Sequence, residues 1–378
     1  NTSLYHIPMN LRLSGDLDVV ALRASLDYLV VRHEILRSRL KSNSGFSYQE
    51  ILSPETGFNL IKLSSTELTS DVDSVVEQFV SRSFNFESDT LCRGLLIELS
   101  PQEHILSIVF HHVISDGWSM DIFYRELCTC YNSFTLSLSP ELTELSVQYV
   151  DFSVWQRSWL QGEVLRRQLD YWLSRLSGYS YLNLPTDMPR PAEQSYLGGR
   201  VSQFLSLSTS SELNELCRNR SVTLFMGLLA ILKGLLSRYA NQDDVTLGTP
   251  IANRRHSCLD NVIGFFVNTL VLRTHVDRHS SISDLIGEVE KTTLDAYEHQ
   301  DIPFEQLVEH LNVSRDLGRH PLFQVMFVLH SLSSSEDVYF SGINSSLYTS
   351  NLSISSKFDL TFNVEELSTG LSISIDYA

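Results

Sequence analysis

Phe110-His111-His112-Val113-Ile114-Ser115-Asp116-Gly117-Trp118 is the stretch that decides the fold and the chemistry of this chain. The apolar run Ile105 to His111 predicts a strand before it, and the pattern Met120 to Phe134 predicts a helix after it. Because successive side chains of a strand point to opposite faces, we expect the imidazoles of His111 and His112 to diverge. One can then enter a cleft while the other packs inside, which disfavours a shared metal ion.

His112 is the expected central residue of an acyl-transfer site. A histidine can take a proton while an amine or hydroxyl attacks an acyl group. A buried carboxylate at Asp116 needs a cation, so it predicts a buried arginine from elsewhere in the chain. Gly117 would let backbone N–H groups approach a developing oxyanion. Neither a G-x-S-x-G elbow nor a catalytic-cysteine signature occurs, so we expect the substrate itself to attack.

Composition excludes several classes of protein. The chain has 378 residues, 43% hydrophobic and 19% charged, which predicts a globular protein with two compact units. A net charge of −17 argues against binding to nucleic acid or to an anionic membrane. The longest apolar stretch, Leu224 to Leu232, is too short to span a bilayer. The chain opens on no signal peptide, and its scattered cysteines fit a reducing, cytoplasmic compartment: Cys92, Cys128, Cys130, Cys217 and Cys258.

Both halves of the chain mix helical and strand patterns. A helix is predicted from Asp18 to Arg39, and another begins at the capping-box spacing Thr209 to Glu212. The proline-rich segment Leu184 to Pro191 reads as a linker. We therefore expect two α/β lobes with mixed sheets, 1–182 and 183–378, and a site in the cleft between them.

H-H-x-x-x-D-G resembles the core motif of the condensation domains of nonribosomal peptide synthetases, whose superfamily includes chloramphenicol acetyltransferase. Other segments resemble motifs of the same family and follow its order over nearly the whole chain. They are Arg32–Arg37, Tyr149–Gln156, Leu184–Pro191, Ile263–Leu270, His299–Phe304 and Arg315–Phe327. The family's first motif and its closing strand and helices have no match, so the resemblance implies a domain truncated at both ends.

The resemblance implies two acetyltransferase-like lobes in a V with a central tunnel. The reaction would join a donor acyl or peptidyl thioester to the amino group of an acceptor aminoacyl thioester. Both substrates would arrive on phosphopantetheine arms of peptidyl carrier domains, beside an adenylation domain, and the domain would hold no cofactor of its own. His112 would orient the amine or take its proton. The context Ile114 to Ser119 looks like that of domains taking an L-configured donor.

The resemblance also implies roles for supporting residues. Asp116 would anchor its loop by pairing with Arg37 or Arg32, and His111 would brace the same loop. Asn268 and Trp155 would support the site. Without the family, the sequence predicts that Arg32 and Arg37 are surface charges. It likewise predicts that Trp155 is a core residue and Asn268 a turn residue. Two other functions stay open: an epimerization domain that abstracts an α-proton, and a non-catalytic platform that recruits other proteins.

Overall fold

The computed structural model describes residues 2–313, 316, 318–330, 339–349 and 356–378. The helices in these residues are α1 (Val19–Arg32), α2 (Val72–Ser81), α3 (Gly117–Thr135), α4 (Tyr149–Trp159), α5 (Gly162–Leu176), α6 (Leu207–Asn219), α7 (Leu224–Ala240), α8 (Ile282–Glu298) and α9 (Phe304–His310). The strands are β1 (His6–Ser14), β2 (Ser38–Asn43), β3 (Phe46–Ile51), β4 (Leu60–Ser64), β5 (Cys92–Ser100), β6 (Glu103–His111), β7 (Gly199–Ser206), β8 (Asp244–Ile251), β9 (Asn268–His275), β10 (Val325–His330), β11 (Asn344–Leu347), β12 (Leu360–Leu367) and β13 (Gly370–Tyr377).

Unit 1 comprises residues 1–157, 254–266 and 335–352. Its main sheet has the strand order β11-β1-β6-β5-β4, with β6 antiparallel to both neighbours and β4 parallel to β5. β6 is buried along almost all of its length, because it lies inside the sheet and its apolar residues meet the core on both faces. α1 and α3 pack against each other, and α3 follows directly on the loop that ends β6.

Unit 2 comprises residues 158–253, 267–334 and 353–378. Its sheet has the strand order β7-β13-β12-β10-β8-β9, in which β10 runs parallel to β12 and β8. β12 and β13 form a hairpin, with Leu367 facing Gly370 across the turn between them. Each unit combines helices with a sheet that has parallel and antiparallel pairs, which confirms the predicted α/β class with mixed sheets. The V and the tunnel stay predictions.

The predicted linker is anchored within unit 2. Arg190 makes a two-point ion pair with the carboxylate of Asp359, and its guanidinium also donates to the carbonyl of Gly318 at 3.1 Å. α5 belongs to the same unit because Trp172 donates to the His299 carbonyl at 2.7 Å. The packing unit that contains α5 starts at Ser158. The assignment of lobes to 1–182 and 183–378 stays a prediction.

Two helix boundaries differ from their predictions. α1 ends at Arg32 and not at Arg39, because the backbone of His33 is extended and a 3-10 turn, Glu34–Arg37, leads into β2. α6 begins at Leu207, with Ser206 as its N-cap accepting from the amide of Thr209. The strand β7 ends at Ser206, so the cap follows the strand without an intervening loop. The motif predicted from Arg315 starts outside the described residues, which also exclude 314 and 317.

No single helix among the described residues is long and apolar enough to cross a membrane. α6 and α7, which meet at a bend of 102°, pass that test together by length and composition alone.

Gly248 lies in β8 where the ring of Phe323 packs onto the backbone. A Cβ at this position would come within 2.2 Å of two atoms of that ring. We expect Gly248→Ala to lower the free energy of unfolding by about 1 to 3 kcal/mol, because the packed ring must shift. Urea unfolding measures this change.

Gly287→Ala is the matched control. Gly287 is exposed in α8, and no heavy atom outside its own helix lies within 4 Å of a Cβ there. Alanine should raise the free energy of unfolding by up to about 1 kcal/mol, since it favours helix. Equal losses in the two variants would contradict the packing described at Gly248.

Candidate active site

His111 and His112 have different surroundings, as the strand alternation predicts. His111 is buried among aromatic rings, with its imidazole 4.8 Å from the ring centre of Phe86. His112 is half-buried and lies edge-on to Phe265, with ring centres 5.1 Å apart. The amide of His112 donates to the carbonyl of Tyr5 at 2.7 Å, which continues the pairing of β6 with the chain before β1.

The hydrogen bonds of the two histidines define opposite tautomers for their neutral forms. His112 Nδ1 lies 2.9 Å from the carbonyl oxygen of Ser115, which can only accept, so Nδ1 carries a proton. The lone pair of the neutral His112 ring is therefore on Nε2. His111 Nδ1 accepts from the amide of Val113 at 3.1 Å. The bond from Val113 to His111 is consistent with a bracing role for His111 in the loop. Of the two imidazoles, His112 is the one whose Nε2 can take a proton.

Asp116 is fully buried and bonded through both carboxylate oxygens. It is the N-cap of α3, with Oδ1 accepting from the amide of Ser119 at 2.8 Å. Oδ2 accepts from the amide of Phe266 at 2.9 Å. The guanidinium of Arg254 lies 3.5 Å from Oδ1. The predicted pairing of Asp116 with a buried arginine is confirmed, and the arginine is Arg254.

Arg37 and Arg32 were the wrong candidates for that pair. Arg37 is 6% exposed and donates to the carbonyls of Val30 and Val31 at 2.8 Å, so it caps the carboxyl end of α1. Arg32 makes a two-point bond with Glu126 of α3 at 3.0 and 3.1 Å. Both arginines therefore satisfy nearer acceptors, and neither is the solvated surface charge that a long helix predicts.

Arg254 is 6% exposed and organises the segment that follows it. Its Nη1 donates to the carbonyls of Leu259 at 2.5 Å and Val262 at 2.6 Å, and its guanidinium stacks 4.1 Å from the ring centre of Phe266. Burial lowers the pKa of Arg254, and the charge of Asp116 opposes that shift. The guanidinium stays cationic, because even a lowered arginine pKa lies far above neutral pH.

A second buried polar group joins α1 to α3. His33 Nε2 lies 2.7 Å from Glu126 Oε2, the carboxylate that also holds Arg32. Burial lowers the pKa of His33, and the bond to Glu126 opposes this shift. Burial alone would raise the pKa of Glu126, but its bonds with His33 and Arg32 lower it. A neutral imidazole therefore donates to an ionised carboxylate, and Arg254 is close enough to lower the pKa of His33 further.

Gly117 is exposed at the first position of α3, with open space where a Cβ would stand. Trp155 is 39% exposed on α4 and lies against His256 and Phe152, with ring centres 5.9 and 5.8 Å away. Nothing in the fold itself demands a glycine at position 117, so a role in admitting substrate to the backbone stays a prediction, as does a supporting role for Trp155.

Asn268 belongs to unit 2 and holds the turn before α9. Its Nδ2 donates to the carbonyls of Gln300 at 2.9 Å and Ile302 at 2.8 Å, and its Oδ1 accepts from the amide of Phe304 at 3.0 Å. These bonds are structural, but Asn268 itself is the first residue of β9 and not the turn residue that the sequence without the family predicts. The part in the reaction that the family implies for Asn268 stays a prediction.

Sequence reasoning missed Arg254, Glu126 and Phe265. Arg254 follows β8 beside Arg255, and nothing in that dipeptide shows which guanidinium turns inward. Phe265 lies within the matched segment Ile263–Leu270, but its contact with His112 needs three-dimensional structure. Within the described ranges, no group of three or more His, Cys, Asp or Glu side chains could hold a metal ion.

Comparisons with known proteins agree with this fold. The profile of the condensation domain family matches residues 1–378. One of the linear gramicidin synthase proteins of Brevibacillus parabrevis is 39% identical over 387 residues, which cover 100% of this chain and 8% of that protein. The X-domain from teicoplanin biosynthesis has a TM-score of 0.88 at 27% identity, covering 99% of this chain and 85% of its own. A complex of that X-domain with OxyB has a TM-score of 0.86 at 27% identity, covering 99% of this chain and 83% of its own.

The fold is of the chloramphenicol acetyltransferase-like class. The chain belongs to the condensation domain family of nonribosomal peptide synthetases, which make peptide bonds. It spans less than a tenth of the length of the gramicidin synthase protein named above.

The buried pair of Asp116 and Arg254 generates a stability prediction. Asp116→Asn should lower the free energy of unfolding by about 3 to 5 kcal/mol, because Arg254 would stay buried without its counter-charge. The double variant Asp116→Asn with Arg254→Met should lose less free energy of unfolding than the sum of the losses in the two single variants. The difference should be about 1 kcal/mol or more. Urea unfolding of the single and double variants gives these values.

Arg37→Met is the control for that pairing. Arg37 is equally buried but bonds elsewhere, so its loss should add to that of Asp116→Asn within about 0.5 kcal/mol. A larger coupling of Asp116 with Arg37 than with Arg254 would contradict the assigned pair.

His33 generates a prediction for pH dependence. Its folded-state pKa is lowered from 6.5, so below pH 6.5 the unfolded chain takes a proton that the folded protein does not. Stability is therefore lost as the pH falls below 6.5 towards the folded-state value, by up to about 1.4 kcal/mol per pH unit. His33→Gln should lose less stability between pH 7 and pH 5 than the parent, measured by urea unfolding at each pH. Parallel curves for the two proteins would contradict a neutral, buried His33.

Proposed function

We propose that this domain forms an amide bond between two substrates bound to carrier proteins. The donor is an acyl or peptidyl thioester, and the acceptor is an aminoacyl thioester whose α-amino group attacks it. Both would be delivered on phosphopantetheine arms of peptidyl carrier domains. The observation that carries the proposal is the orientation of His112, whose Nδ1 is bonded to the Ser115 carbonyl so that Nε2 can accept a proton.

The acceptor nitrogen would form the new C–N bond as the thioester C–S bond breaks. His112 would orient the attacking amine or take its proton, and the departing thiolate would finally carry a proton away. Three buried cysteines are unsuited to act as nucleophiles, which supports direct attack by the substrate. Burial raises the pKa of Cys92, Cys128 and Cys130 to about 12, so these thiols stay protonated and inert near neutral pH.

The other residues of the site would act through the loop that presents His112. Asp116 with Arg254 would anchor the loop, His111 would brace it from behind, and the backbone at Gly117 would face the developing oxyanion. Arg32 and Arg37 would support the packing of α1, with its carboxyl end capped. Trp155 and Asn268 would contribute more remotely.

The proposed partners follow from the length of the relatives. This chain matches 8% of a gramicidin synthase protein, so most of that protein lies outside the matched segment. We propose donor and acceptor peptidyl carrier domains and a neighbouring adenylation domain as partners, with no cofactor of the domain's own. We also propose an L-configured donor and a cytoplasmic location.

The test is a reconstituted condensation. One carrier protein is loaded with a donor aminoacyl group and a second with an acceptor, and the dipeptidyl thioester on the second is followed by mass spectrometry. His112→Ala should lower the rate by about a hundredfold or more, because the amine loses its acceptor or its orienting group. His279→Ala is the control, since His279 is exposed in unit 2 and no part of the proposed chemistry uses it. Unchanged turnover in His112→Ala would remove His112 from the reaction.

A non-catalytic docking platform is the second candidate function. The observation favouring it is the likeness to the X-domain, which has been solved in complex with OxyB. Carrier binding without turnover, in a protein that keeps all of its neighbouring domains, would favour this alternative. Racemisation of a single loaded aminoacyl carrier, without condensation, would instead identify an epimerization domain.

A further inference from the structure

The hydroxyl group of Ser119 is buried and fully used. Ser119 is 0% exposed on the first turn of α3, three residues after Asp116. Its Oγ donates to the carbonyl of Gly264 at 2.8 Å and accepts from the amide of the same glycine at 3.1 Å. It also accepts from Arg254 Nη2 at 2.9 Å. One donor and two acceptor positions are the whole capacity of a hydroxyl, so no part of it is spare.

The next two residues of the segment are held in the same manner. The carbonyl of Phe265 accepts from the hydroxyl of Tyr149 at 3.0 Å, and the amide of Phe266 donates to Asp116. Burial raises the pKa of Tyr149 to about 12, and the charge of Asp116 adds to the shift, so this hydroxyl keeps its proton. Side chains from α3, α4 and the histidine loop thus bond four backbone groups between Gly264 and Phe266. Such a segment has little freedom to move.

The approach of these elements leaves no room at Gly264. A Cβ there would lie 2.2 Å from Tyr149 and 2.8 Å from Phe266. The backbone therefore lies directly against the aromatic rings, and Phe265 turns the other way. Its half-buried ring is the one that lies edge-on to His112, 5.1 Å away at 76°.

His112 is therefore held on two sides. Its Nδ1 is bonded within its own loop, which limits rotation about the axis through the ring. The ring of Phe265 limits the tilt of the imidazole on the other side. The position of Phe265 in turn depends on the backbone that Ser119 and Tyr149 hold.

We propose that Ser119 is a positioning residue for His112, acting through Gly264 and the ring of Phe265. This inference rests on the proposed function for its kinetic consequence, but its structural consequence can be measured without any substrate. A buried serine that served packing alone would have no such link to the imidazole.

The first test reads the structural link in the substrate-free domain. In Ser119→Ala the amide of Gly264 should exchange its hydrogen about tenfold faster or more, because one net hydrogen bond is lost. The NMR signals of the His112 ring should shift as Phe265 moves. Tyr149→Phe is the second variant, for use if Ser119→Ala folds poorly. It keeps the aromatic packing but removes the hydrogen bond to the Phe265 carbonyl, so it should shift the same signals. Signals of His112 that stay in place in both variants would overturn the proposal.

Ser25→Ala is the matched control. Ser25 is equally buried in α1, and within the described part of the chain its hydroxyl bonds only to the Ala21 carbonyl of its own helix, at 2.7 Å. It should leave the signals of His112 and the exchange at Gly264 unchanged. Equal shifts in the Ser25 and Ser119 variants would mean that any buried serine has this effect, and would also overturn the proposal.

The second test is kinetic. Ser119→Ala should lower kcat for condensation by about ten- to a hundredfold with KM almost unchanged, as a misplaced catalytic group does. Ser119→Thr keeps the hydroxyl and should recover most of that loss. With Phe265→Leu already present, Ser119→Ala should lower kcat by only about twofold, because the intermediary is gone. An undiminished loss in that background would overturn the proposal.

The NMR and kinetic tests distinguish the proposed function from the proposed role of Ser119. A parent domain that forms no dipeptidyl thioester contradicts the proposed function, while the NMR and exchange results still decide whether Ser119 positions His112.

Discussion

The buried carboxylate of Asp116 is the interaction on which the histidine loop depends. A charge with no exposure is tolerable only when its partners offset the cost of removing it from water, which is several kcal/mol for each ion. Asp116 meets this demand with the first turn of α3, the amide of Phe266 and the guanidinium of Arg254. The loop and the segment 254–266 are therefore stable in their positions only together. The orientation of His112 follows from that mutual dependence.

The local features of the site could be predicted from the sequence because they depend on neighbouring residues. Strand alternation separates His111 from His112, and the burial of Asp116 demands an arginine. The identity of that arginine could not be predicted, since a charge balance says nothing about which of several guanidinium groups is near. The family motif pointed to Arg32 and Arg37, but these bond to Glu126 and to the end of α1. Arg254 lies far along the chain, where no periodic pattern marks it.

The fold shows the same division between local and distant causes. β6 and α3 follow the apolar periodicity that predicts them. The end of α1 does not, because the extended backbone at His33 accompanies a bond to Glu126 on another helix. The proline-rich segment was expected to be a linker from composition, whereas Arg190 ties it to Asp359. In each of these cases a contact distant in sequence overrides the local propensity.

The discontinuous composition of unit 1 has a consequence for the order in which the protein can be made. The amide of Phe266 follows Asp116 by 150 residues, so a ribosome completes it roughly ten to thirty seconds later. During that interval the nascent chain holds β1, β5, β6 and α3 without the backbone that satisfies the carboxylate. Until Phe266 and Arg254 are made, the histidine loop therefore lacks two of the groups that hold Asp116 in place. Completion of this loop therefore comes later in synthesis than the translation of its own residues.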